Sequence, residues 1–152
     1  MRKRTNHTAI ASILAVGALA AAVVPAGAYE ARAAHTLRGD ETGRLHLVRA
    51  SGSLLYEEGP ASGPLPGHMT AHLNVGATFT GSFTIYTRGG SMVGHGTATP
   101  HSNGRYKSFA GTLVLTGGSG RYVHAHGRAG LYGTFDQRTD SLVIQTTGSL
   151  TY

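Results

Sequence analysis

The most regular stretch of the chain is Thr78 to Thr87, where Phe79, Gly81, Phe83 and Ile85 alternate with Thr78, Thr80, Ser82, Thr84 and Tyr86. A period of two sends successive side chains to opposite faces of a strand, so one face here is apolar and the other carries hydroxyls. The C-terminal segment repeats the pattern, with Leu142, Ile144, Thr146, Gly148 and Leu150 opposed to Val143, Gln145, Thr147, Ser149 and Thr151. No window after Gly43 has helical periodicity. Short alternating runs predict strands over 44–49, 53–58, 69–75, 78–87, 91–99, 107–116, 121–135 and 141–151. Gly89-Gly90 and Asn103-Gly104 supply the positive φ angles of tight hairpins, and Gly117-Gly118-Ser119-Gly120 and the polar Asp136 to Asp140 stretch close two more. The segment from Gly59 to Gly67, with Pro60, Pro64 and Pro66, reads as one long loop, because proline is excluded from central strands. Gly127 and Gly130 interrupt the seventh strand, where a bulge or bend is expected. Eight short strands joined mainly by hairpins predict an all-β sandwich or barrel. Glycines at Gly81, Gly94, Gly96, Gly111, Gly127 and Gly133 favour a closed eight-stranded antiparallel β-barrel, since strongly coiled strands need positions without a side chain.

Ahead of this pattern the order of residue types changes. Met1-Arg2-Lys3-Arg4 is basic, Ile10 to Val24 is apolar and uncharged, and Pro25 and Ala26-Gly27-Ala28 follow. That order predicts a secretory signal peptide over residues 1–28 rather than a membrane span, with a second small-residue site at Ala31-Arg32-Ala33-Ala34 that would move cleavage as late as 34. Cleavage after Ala28 leaves 124 residues, one domain's worth, and divides them into a flexible polar arm over 29–43 and the barrel over 44–152. The expected location is therefore extracellular, with no membrane association of the mature form.

Composition narrows the chemistry. The chain has no cysteine, which excludes disulfide scaffolds, thiolate zinc sites and cysteine nucleophiles. Its formal charge of +6 owes three positive charges to Arg2, Lys3 and Arg4; beyond the leader, ten Lys and Arg face seven Asp and Glu. The remaining basic residues are scattered and the aromatic residues dispersed, so no nucleic-acid partner is expected. Ser119 lies between glycines, but a nucleophile elbow or a phosphate loop needs a helix after the turn, and a strand pattern follows instead.

The run Leu115-Thr116-Gly117-Gly118-Ser119-Gly120-Arg121-Tyr122, followed by Ala125 and Gly127, resembles the strand–GGTG–aromatic–Ala–x–Gly signature of dirigent proteins and is similar to the equivalent turn of allene oxide cyclases. Upstream, Gly90-Ser91-Met92-Val93-Gly94-His95-Gly96 resembles the Gly-Ser strand those families carry before it, and the match covers roughly residues 76–152. The resemblance implies an eight-stranded barrel, often a homotrimer, whose apolar cavity steers phenolic radicals or cyclises an unstable lipid epoxide. It also implies a carboxylate in the pocket. Glu57-Glu58, just ahead of Pro60, stand where dirigent proteins carry an acidic-plus-proline segment, and are the weak catalytic candidates; a solvated pair at the barrel rim is the structural alternative.

Phe79, Phe83, Ile85, Leu113, Leu115, Val123, Leu142 and Ile144 are the inward candidates, to line a ligand cavity or fill a solid core. His124 and His126, two apart on an expected strand, would point their rings the same way, but no third ligand is apparent. With Val123, Ala125 and Gly127 inside, those histidines fall on the outer wall, as do His72 and His95. No metal or other cofactor is expected. These features predict a secreted barrel that binds an apolar small molecule without catalysis; the alternatives are an isomerase or cyclase, or a structural or surface-interaction protein.

Overall fold

The computed structural model describes residues 35–102 and 104–152. The expected leader, the 29–34 part of the expected arm and Asn103 of the expected Asn103-Gly104 turn lie outside the described residues. The described chain forms eight strands: β1 (Thr36–Ser51), β2 (Leu54–Ser62), β3 (Gly67–Val75), β4 (Phe79–Thr87), β5 (Gly90–Pro100), β6 (Tyr106–Gly118), β7 (His126–Asp136) and β8 (Ser141–Thr151), with one 3₁₀ turn, Gly120–Tyr122, between β6 and β7. Each pairs antiparallel with the next and β8 closes on β1, giving a closed barrel.

Following cross-strand partners around the wall from Leu37 passes Leu150, Gly127, Leu115, Gly94, Phe83, Ala71 and Glu57 and returns to β1 at Leu47, ten residues further on. That stagger exceeds the roughly eight of an eight-stranded barrel with a filled interior, and a larger stagger means steeper strands around a wider lumen. Glycines on the inner face widen it further and alternate with bulk. Phe83 sits directly opposite Gly94, and Phe109 opposite Gly133. A Cβ on Gly94 would lie 2.6 Å from Phe83 Cζ, so the ring occupies the space that any side chain there would need. Phe79, Phe109 and Phe135 pack edge to face, with centroids 5.6 and 6.0 Å from Phe79.

Four expectations need correction. Thr36 to Gly43 is not a loose arm but the first half of β1, paired with β8 from Thr36 opposite Thr151 to Leu45 opposite Leu142. Its alternation was hidden because Gly39, Glu41 and Gly43 take the inward positions where apolar residues would have shown it. Pro60 belongs to β2, opposite His68 of β3, and the loop shrinks to residues 63–66. The β1–β2 register skips Gly59 and Pro60, an interruption that a residue without an N–H tolerates. The seventh strand begins at His126 rather than at 121, because Gly120 at φ +59° turns the chain into the 3₁₀ segment. Bulges fall between Leu47 and Arg49 and between Val93 and Gly94, not at Gly127 or Gly130.

Candidate functional site

The barrel interior holds an apolar cavity of about 110 Å³. Seven of the eight inward candidates border it: Phe79, Phe83, Ile85, Leu113, Leu115, Leu142 and Ile144. Val123 does not. It is 54 % exposed, because the 3₁₀ turn swings it outward while Tyr122 and Ala125 go in. Tyr122 is fully buried and packs against Tyr152, and the Arg121 guanidinium lies over both rings and donates to the Tyr122 hydroxyl. This aromatic cluster stands at the barrel end where β6 turns into β7 and where β1 begins.

The loop of residues 63–66 crosses the same end. Leu65 is buried on the cavity wall, and Pro64 lies against Gly39, where a Cβ would come within 2.8 Å of the proline ring. The loop is tied down by Glu41 of β1, whose Oε2 accepts the Leu65 N–H at 2.9 Å. Glu41 is buried and borders the cavity, and its Oε1 has no hydrogen-bond partner among the described residues. Burial raises its pKa, partly offset by the Leu65 N–H. Sequence reading passed over Glu41 because it lay in the supposed arm. Counting back in steps of two from Leu45 would have placed it on the inner face.

Glu57 and Glu58 share a strand and therefore face opposite ways. Glu58 is on the outer wall, 3.8 Å from His68 Nε2 across a half-exposed surface pair. Glu57 is not at the rim, as expected, but fully buried, opposite Leu47 on one side and Ala71 on the other, and neither carboxylate oxygen has a partner among the described residues. Burial, with a smaller contribution from the Asp140 charge, pushes its pKa up to about 8, so it carries its proton at neutral pH. It does not border the cavity, although its neighbour Ala71 does.

His124 and His126 do not form the side-by-side pair that a shared strand would give. His124 lies in the turn, His126 opens β7, and His126 Nδ1 contacts the His124 carbonyl at 2.8 Å. Among the described residues no group of three or more His, Cys, Asp or Glu side chains is placed to hold a metal ion. His72 lies on the outer wall as expected, edge-on to Tyr56 at 4.7 Å. Asp136 is more than turn chemistry. Arg105 donates to both its oxygens, at 3.0 and 2.8 Å, and the Arg138 N–H donates at 3.0 Å, which holds its carboxyl far below the usual range.

No protein-family model, curated protein or solved structure matches this chain. The site's own geometry is an apolar chamber, one half-satisfied acid on its wall, and a second buried acid inside the barrel that does not border the chamber.

Proposed function

We propose that this chain is an exported barrel that holds a small apolar molecule in its interior and makes no bonds to it. The interior cavity carries the reading: a space remains among the inward side chains, and its wall is almost wholly apolar. Engineered apolar cavities of about 150 Å³ take up benzene, so about 110 Å³ suits a short chain or small ring. A larger guest requires the 63–66 loop or Phe83 to move. The likeness of the Gly117–Tyr122 turn to dirigent proteins and allene oxide cyclases supports the same reading, and with it a homotrimer. The leader pattern supports export, and N-terminal sequencing of the exported protein should find it starting after Ala28 or Ala34; a cytosolic protein starting at Met1 would refute export.

The binding test is titration with n-pentane, followed through the methyl resonances of Ile85 and Ile144. Saturable shifts are expected. Phe83→Ala should alter the affinity by enlarging the chamber, at a stability cost of roughly 3–5 kcal/mol. If the wild-type protein takes up no apolar guest, the interior is solid and the surface-interaction alternative gains. One observation favours an isomerase or cyclase instead, namely that two buried carboxyls, Glu41 and Glu57, keep oxygens without a partner among the described residues. Of these Glu41 reaches the cavity, so general acid–base chemistry would fall to it. Loss of a measured turnover in Glu41→Gln would establish that reading.

A further inference from the structure

Glu41 is the one ionisable residue whose buried side chain borders the cavity, among the described residues. Arg128 also borders the cavity but is exposed. The carboxyl is only half satisfied. Its Oε2 takes the Leu65 N–H and so has a fixed orientation, whereas Oε1 is buried without a partner. Native proteins rarely leave a buried carboxylate oxygen unmatched, because the lost hydration is not returned.

Resting on the reading of the barrel as a binder of small apolar molecules, we infer that its ligand is a small aliphatic amine whose ammonium group donates to Glu41 Oε1 while its hydrocarbon part fills the chamber. A pure hydrocarbon would leave Oε1 unmatched. An alcohol would match the oxygen but leave a buried negative charge without a counter-charge. An ammonium supplies both, through a charge-assisted bond about twice as strong as a neutral one. Burial disfavours the charged form of the carboxyl in the empty site, and an ammonium beside Oε1 favours it. The chamber of about 110 Å³ limits the guest to about five heavy atoms.

Three guests of equal heavy-atom count separate the possibilities: n-butylamine, n-butanol and n-pentane, each titrated into the wild-type protein and into Glu41→Gln while the Ile85 and Ile144 methyl resonances are followed. Butylamine should bind at least about tenfold more tightly than pentane, the worth of one charge-assisted hydrogen bond. Glu41→Gln should remove that preference and leave pentane binding in place. Pentane binding as tightly as butylamine, or a preference that survives Glu41→Gln, would overturn the amine assignment while leaving the binding function intact. No shift with any of the three guests would overturn both. The wild-type comparison stands alone, so the test survives a variant that fails to fold.

Discussion

A carboxyl held as Glu57 is, between Leu47 and Ala71 with no donor near it, is easier to bury with its proton than without. Its pKa of about 8 lies above the ordinary 4.5, so the folded chain keeps a proton that the unfolded chain releases over the interval between those values. Stability therefore falls as pH rises from about 4.5 to about 8 and levels off above, by an amount on the order of a few kcal/mol. Glu57→Gln should flatten this dependence and raise the melting temperature at pH 8 relative to wild type, measured by thermal melts at pH 5 and pH 8. An unchanged pH slope would mean that Glu57 is hydrated. The neighbouring bulk-against-glycine pairs make a separate prediction. Gly94→Ala puts a methyl where the Phe83 ring and the Val114 carbonyl already sit, and should cost more than the roughly 1 kcal/mol of an average substitution, read as a lowered midpoint of chemical denaturation.

At the scale of elements, pairing was legible in the sequence wherever apolar residues marked the inner face. β4 and β8 are the strands that the alternation of Phe79–Ile85 and Leu142–Leu150 predicts. It failed where the inner face is glycine or acid. β1 carries Gly39, Glu41 and Gly43 inward, so the pattern ran out and its acid was lost with it. Val123 failed for another reason. The turn after Gly117-Gly118 has the composition of a hairpin, but Gly120 folds it into a 3₁₀ turn that buries Tyr122, and the two-residue phase restarts only at His126. Turns were legible as places and not as contacts. Nothing local shows that Arg105, in the β5–β6 turn, clamps Asp136 at the end of β7. That clamp joins two adjacent turns, and because the Asp136 pKa is depressed, its contribution is complete above the ordinary Asp value of 3.8 and is lost as pH falls toward the folded value. Asp136→Asn should therefore lower stability at pH 7 and have little effect at the most acidic pH where the barrel still folds, as checked by melts across that range.

For the whole molecule the decisive contact is between the two ends of the described chain. β8 pairs along its full length with β7 and along most of its length with β1, and His35 and Tyr152 exchange backbone hydrogen bonds of 2.9 and 3.0 Å at the seam. A closed barrel has no free edge, and β1 and β8 depend on that closure for their second partners. Removing residues 141–152 would leave β1 and β7 each with an unpaired edge and open the chamber on the side of Leu142 and Ile144. The same cut takes away Tyr152, on which Tyr122 and Arg121 pack. The truncated chain should lose its cooperative melt, bind hydrophobic dyes and aggregate, whereas single outer-face changes such as Thr147→Ser should leave the melt in place. A truncated protein that stayed soluble with an unaltered cooperative transition would mean that the barrel does not depend on its β1–β8 seam, and the chamber that depends on closure would lose its basis with it.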